Sequence, residues 1–227
     1  MIRPRIQRPM SRSIPLASLE IRDAVFRELI RISPASNYVA ELVAGPAGLL
    51  SRGLLEEHAT SYGALPRTKR ERATLAGILN DYVSARFPAY AQSHSGAGVV
   101  GVPGFRQELS GVVHIWKPRN YNMPLLLIPY KDANGLIQAC QIRLHANDIS
   151  PDEKRYCWLS SPQERHGTSS GTPIHFTFFK EKLPPGETVL ITEGALKADT
   201  VVRFRHIERI IDGPPFTFSS RMRPRVD

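Results

Sequence analysis

The sequence predicts an α+β fold: a helical first part, a β-rich middle, and a strand–turn–helix unit of the α/β kind near the end. Three observations predict it. Apolar residues recur at helical spacing around 18–32 and 68–87. Two β-prone runs, LLLIPY and LIQACQIRL, flank a KDANG segment, and an Asn-Gly step between such runs signals a hairpin. The segment TVLITEG then leads directly into ALKADTVVRF, an apolar strand pattern turning through Glu-Gly into a helical one. The expected organisation is a flexible basic arm over 1–17, a helical region over 18–90, a β-rich region over 98–182 and an incomplete α/β unit over 186–227.

Each element has its local reason. From Ser18 the residues Ile21, Val25, Phe26, Leu29 and Ile30 make one apolar face, and Ser33-Pro34 ends that helix. A second short helix is expected around Tyr38–Val43, before Gly45-Pro46. In LLSRGLLEEHATSYGALP, Gly53 separates two short helical pieces. Thr68 is the expected cap of the next helix, whose stripe is Leu75, Ile78, Leu79, Tyr82 and Val83, with Pro88 stopping it. The Ser/Gly-rich QSHSGAG reads as a linker or mobile loop. In the hairpin, the two-residue strand period sets Gln141 and Arg143 on the face opposite Ile142 and Leu144. YCWLSS and PIHFTFF read as further strands joined by the polar loop PQERHGTSSG.

Composition narrows the function classes. Hydrophobic residues are 41% of 227, enough for a buried core and against wholesale disorder. Lys and Arg number 30 against 21 Asp and Glu, a net charge of +9, which suits a polyanionic partner as well as a generally basic protein. The two cysteines, Cys140 and Cys157, lack the spacing of a zinc site. The amino-terminal MIRPRIQRPMSRSIP is Arg-rich without a continuous apolar stretch, so it is neither a secretory signal nor an anchor. A reduced, cytoplasmic chain with no membrane partner is expected.

The sharpest chemical feature is Glu193. An apolar strand delivers its carboxylate to a sheet's C-terminal edge, where ligands of open α/β sheets bind. There it can ligate Mg²⁺ or serve as an acid or base. Lys197, one helical turn on, can meet a phosphate at the same place. The plainer alternative is that Glu193 caps the following helix and interacts with its dipole.

Order along the chain adds specificity. TVLITEGALKADT resembles the first motif of the TOPRIM fold. LLLIPYKDANGLIQACQIRL resembles the hairpin in the core of DnaG-type primases, and DEKRYCWLSSP and LLSRGLLEEHATSYGALP resemble further primase segments in the family's order, from about Leu50 to Thr200. The pattern of GVPGF, QIR, WLSS, GTSSGTP and TEG-x-LKAD is similar to that of primase-like TOPRIM proteins of phages, plasmids and other mobile elements.

The resemblance implies RNA primer synthesis on single-stranded DNA from NTPs with Mg²⁺ (or Mn²⁺), and a replicative helicase as a partner for the helical part. It implies Glu193 as catalytic carboxylate and metal ligand. Arg143, Lys154 and Arg155 become the basic surface for template or nucleotide phosphates, with Lys197 beside the carboxylate. Alternatives stay open: Arg143 as a solvated strand residue, Lys154 in a solvated turn, Tyr156 and Trp158 as core aromatics, and His166 with the GTSSGTP loop as either phosphate contact or flexible connection. The family's DxD does not follow Glu193; the later acids are Asp199, Glu208, Asp212 and Asp227. Truncation within the TOPRIM domain is therefore expected, with Glu193 more exposed than in a complete relative. The other function expected is a non-catalytic nucleic-acid-binding or replication-accessory protein, and a third is a protein-interaction module.

Overall fold

The computed structural model describes residues 14–45, 48–54, 56–118, 121, 123–145, 154–177 and 191–210. Its regular elements are helix α1 (Leu19–Ile32), strand β1 (Gly63–Leu65), helices α2 (Lys69–Arg86) and α3 (Pro88–Ser93), strands β2 (Phe105–Gln107), β3 (Val113–Ile115), β4 (Leu125–Lys131), β5 (Ile137–Arg143) and β6 (Tyr156–Trp158), and helix α4 (Ala195–Ile210). The fold is α+β.

Both long helices of the first part start on caps that the sequence marks. The Ser18 hydroxyl accepts from the Ile21 N–H, and α1 buries Ile21, Val25, Phe26, Leu29 and Ile30. At α2, the Thr68 hydroxyl accepts from the Glu71 N–H while the Glu71 carboxylate accepts from the Thr68 N–H, a reciprocal capping box. The buried stripe of α2 is narrower than predicted: Ala76, Leu79 and Val83 face inward, whereas Ile78 is exposed. Pro88 begins α3, where its missing N–H has no helical partner to lose. The expected helix at Tyr38–Val43 is a single π-helical turn, Val39–Val43, entered from a 3₁₀ turn at Ala35–Tyr38.

Gly77 sits inside α2 with open space where a Cβ would go. Replacing it with Ala should stabilise the chain by about 0.5–1 kcal/mol, read as a rise in the midpoint of denaturant unfolding.

The main sheet has the order β1-β4-β5-β6, antiparallel throughout. The β4–β5 hairpin forms where predicted. Its turn is organised by Asp132, whose carboxylate accepts from the N–H groups of Asn134 and Leu136, and Gly135 takes the left-handed conformation (φ 81°). Pro129 pairs with Cys140 in the middle of β4. The Cys140 carbonyl accepts from Leu159, on the β6 side. Pro129's missing N–H therefore faces the other edge of β4, past the end of β1, where no ladder bond is lost.

Strand β4 is buried on both faces. Leu125 and Leu127 join a core with α1, α2, β3 and the 97–105 segment. Leu126, Ile128 and Tyr130 join a second core with Leu42, Val43, Leu49, Leu54, Tyr62, Ala195 and Leu196. The sheet is thus the middle of three layers, which is why LLLIPY is continuously apolar rather than alternating.

Several sequence expectations change here. The QSHSGAG segment is exposed over most of its first five residues, but its end enters the fold: Ala97 and Gly98 are buried, and Ala97, with Val99 and Val100 just after it, lies in the first core. The last residues of the expected arm are also docked: the Ala17 N–H donates to the Gly101 carbonyl, and the Ile14 carbonyl accepts from the Thr168 hydroxyl. Strands β1, β2 and β3 were not predicted, since three residues are too few for the two-residue alternation to register. Within PIHFTFF, residues 173–177 form no strand, though the Phe176 N–H donates to the Lys131 carbonyl at the edge of β4. The expected strand before Glu193 lies largely outside the described residues, as does Asp212; its last residues, Ile191 and Thr192, are not in a strand. Among the described residues, no helix is long and apolar enough to cross a membrane.

Candidate nucleic-acid interface

The second face of the sheet, the one bearing Leu126, Ile128 and Tyr130, gathers the polar groups of interest. The strand period places Gln141 and Arg143 there, opposite Ile142 and Leu144, as predicted. Gln141 accepts from the Tyr130 hydroxyl at 3.1 Å. Arg143 is paired in register with Tyr156 of β6 and is buried, 6% exposed, rather than solvated.

Arg143 does not stand alone as a cation. Its guanidinium is held below the ordinary arginine range, first by burial and then by the positive charges of Arg52 and Arg155, with Tyr156 opposing them. Arg52 comes from the 3₁₀ turn Leu50–Arg52, and its Nε is buried without a hydrogen-bond partner among the described residues. Arg155 precedes β6, and its carbonyl accepts from the Leu144 N–H at 2.9 Å. Lys154 and Arg155 are both exposed. The positive charges of Arg52 and Arg155 thus bear on the buried Arg143 guanidinium at one end of the sheet, an electrostatic setting that an anionic oxygen relieves. Sequence reasoning had Arg143, Lys154 and Arg155; it missed Arg52, whose one signal was its place in the RGL stretch.

Glu193 and Lys197 lie elsewhere. Glu193 is in the bend before α4, its side chain 79% exposed, and its carboxylate is paired with the Lys197 ammonium one turn later. That pair holds the Glu193 carboxyl below its ordinary range. Lys197 is therefore engaged by Glu193 rather than joined to the arginine cluster. Among the described residues no group of three or more His, Cys, Asp or Glu is placed to hold a metal ion. Toward the Mg²⁺ that the resemblance implies, Glu193 offers one exposed carboxylate already paired with a lysine, with no second carboxylate placed beside it among the described residues.

The acid that does face the sheet is Asp199. Its carboxylate accepts from the Tyr62 hydroxyl at 2.7 Å and lies 3.0 Å from His175 Nε2. The Lys131 backbone N–H points at His175 Nδ1 from 3.1 Å. A backbone N–H only donates, so Nδ1 accepts and the ring proton sits on Nε2, donating to Asp199. Burial pushes the Asp199 carboxyl upward, but the hydrogen bond and electrostatic attraction of His175, the hydrogen bond of Tyr62 and the positive charge of Lys131 outweigh it and leave the group below its ordinary range. On the same helix, the Thr200 hydroxyl lies 2.8 Å from the Leu196 carbonyl of its own helix and 3.1 Å from the Arg52 carbonyl, so α4 meets the turn that carries Arg52. Sequence reasoning noted Asp199 only as one of the acids after Glu193 and did not single out His175; they are 24 residues apart, with no motif joining them.

The loop after β6 is closed to ligands in a different way. The Ser161 hydroxyl donates to the Phe105 carbonyl, the Thr168 hydroxyl to the Ile14 carbonyl, and the Ser160 hydroxyl accepts from the Ser170 N–H. Thr168 and Ser170 are buried. The GTSSGTP hydroxyls that would meet a phosphate are largely used within the fold, and the loop is a stitched connection rather than a free one. His166 is likewise engaged, its Nδ1 3.0 Å from the Gln107 side-chain oxygen. Tyr156 and Trp158 are half-buried against the second core, and Trp158 meets Tyr130 edge-on at 4.6 Å between ring centres. Cys140 is fully buried and Cys157 is pushed up to about 11 by burial, so neither is a thiolate nucleophile near neutral pH. No family model, no curated protein and no solved structure matches the chain.

Proposed function

We propose that this chain is a primase-like protein of the TOPRIM kind, acting on single-stranded DNA in the replication of a phage, plasmid or other mobile element. The described residues supply its nucleic-acid-holding part. The observation that carries this is Arg143, buried at the end of β5 beside Tyr156 of β6, with the charges of Arg52 and of the exposed Arg155 acting on it, in a chain of net charge +9. Clustered guanidinium groups bind phosphates through paired N–H donors, and charge repulsion among them falls when an anion arrives. The second reading, primer synthesis from NTPs with Glu193 as its carboxylate, rests on the order of the family motifs along the sequence.

Exchanging the two exposed cations, Lys154→Gln with Arg155→Gln, tests the first reading. The double variant should bind a labelled single-stranded oligonucleotide about tenfold more weakly near 0.1 M salt, and the slope of log affinity against log salt should fall by about 1 to 1.5. Unchanged affinity and slope would remove the arginine cluster from the interface. Template-dependent synthesis with Mg²⁺ or Mn²⁺, compared between wild type and Glu193→Gln, decides the second reading. Synthesis lost in that variant establishes the enzyme, and binding that ignores the substitution, without synthesis, leaves the nucleic-acid-holding role.

A further inference from the structure

Helix α4 is attached to the sheet by few apolar groups. Of its residues up to Val202, only Ala195 and Leu196 are buried in the second core. Its remaining described attachments are polar: Asp199 to Tyr62 and His175, the Ala195 backbone to the Tyr130 hydroxyl, and Thr200 beside the Arg52 carbonyl. Each partner of Asp199 is itself held by another part of the fold. Tyr62 lies in the second core beside β1, and His175 is fixed at the edge of β4 by the Lys131 N–H. The His175 side chain is 5% exposed, and packs edge-on against Tyr130 at 5.5 Å between ring centres.

We infer that Asp199 is a latch that docks α4 on the sheet through Tyr62 and His175, and that neutralising its carboxylate releases the helix together with the Glu193–Lys197 turn. The geometry leaves little else for the group to do. Both carboxylate oxygens are engaged, one by each partner, and His175 uses both ring nitrogens, so neither is free to exchange a proton with a substrate. Among the described residues, the groups facing Asp199 that favour its charge are Tyr62, His175 and Lys131, from three separate parts of the chain, and Tyr130, whose hydroxyl the Asp199 charge helps to push up, is the further titratable group there. Tyr62 and His175 donate hydrogen bonds and Lys131 is a cation, so all three favour the ionised form. Protonation removes the charge that strengthens both hydrogen bonds and makes one oxygen an O–H, which Tyr62 can meet only by turning its own hydroxyl from donor to acceptor. Among the described contacts the helix then keeps Ala195 and Leu196 in the second core, the Tyr130 hydroxyl at the Ala195 backbone, and Thr200. The inference concerns the docking of α4 and holds whether or not Glu193 acts on a phosphate.

The direction of the pH effect follows from the depressed carboxyl. Stabilisation by Asp199 is fully present above its unfolded value, near 3.8, and is lost as pH falls through the lower folded value. Backbone hydrogen exchange on the full chain, followed residue by residue by NMR and corrected for intrinsic rates, reads this out. At about pH 7, Asp199→Asn should speed exchange of the α4 amides at least tenfold while α1 and α2 keep their protection. That difference between variant and wild type should shrink as pH is lowered below about 4, because the wild type then acquires the same neutral group. Tyr62→Phe keeps the ring and removes one donor, so at about pH 7 it should speed α4 exchange by a few-fold; it carries the test if the Asn variant does not fold. Protection of α4 that is unchanged in both variants, or a variant difference that is the same at every pH, overturns the latch.

Discussion

Replacing Leu127 with Ala should lower the unfolding free energy by about 3–5 kcal/mol, at the upper end for a buried leucine. Leu127 is fully buried at the centre of β4, paired with Gly63 on one side and Ile142 on the other. The neighbours cannot close over the space left behind. A Cβ on Gly63 would lie 3.2 Å from the Leu127 Cβ, so β1 already approaches as closely as a bare backbone allows, and Gly63 has no side chain to fill a gap. The loss should appear as a drop of roughly 6–15 °C in the thermal midpoint of a chain this size. Ile78→Ala, on the exposed side of α2, is the comparison and should change stability by no more than about 0.5 kcal/mol. Equal losses in the two variants would mean that β4 is not the centre of the fold.

Gly167→Ala should cost about 2–4 kcal/mol for the opposite reason, overpacking. An added Cβ would come within 1.8 Å of the Ser161 carbonyl oxygen and 2.7 Å of its carbon. Those are backbone atoms, and they are held from two sides: the Ser161 N–H donates to the Thr168 carbonyl, and its hydroxyl donates to the Phe105 carbonyl at 2.6 Å. To admit a methyl group the loop must open, and the next residue, Thr168, would then lose its hold on the Ile14 carbonyl. The variant should therefore show two linked changes, a lower thermal midpoint and faster protease cleavage near residues 14–17. A lower midpoint without the new cleavage would place the damage elsewhere.

Much of the architecture is legible in short-range chemistry. Ser18 and Thr68 cap the helices they precede, the apolar period of α1 matches its buried face, and the alternation along β5 sorts Arg143 from Ile142 correctly. These are relations between residues a few positions apart, where periodicity and capping operate. The elements that escaped are those whose reason is remote. Strand β1 exists because Leu125–Leu127 offers it an edge more than 60 positions later in the chain. The QSHSGAG segment has a loop's composition, yet its last two residues are buried, and Val83 and Ala91 leave room only for a glycine at position 98.

The candidate site divides the same way. Glu193 and Lys197 stand out because a carboxylate and a lysine at helical spacing follow an apolar run, and in the structure they satisfy each other at the surface. Arg52 and Asp199 acquire meaning only once α4, the Leu50–Arg52 turn and β5 are brought to one face. No spacing rule links residue 52 to 143, or 62 to 199. Their partners are set by the stacking of layers on the two sides of β4, which is a property of the whole chain.

The way α1 grips the hairpin has a consequence for synthesis. Arg22 donates to the Gln138 carbonyl, Asp23 accepts from the Ile137 N–H and Arg27 donates to the Gly135 carbonyl, contacts that span 116, 114 and 108 residues. At about 5–20 residues per second, a ribosome needs roughly 5–20 s to deliver β5 after α1 has been made. During that interval Val25, Phe26 and Leu29 have no sheet to cover them. The nascent chain carries an apolar helix face waiting for its partner, and that is the stage at which a chaperone would meet it.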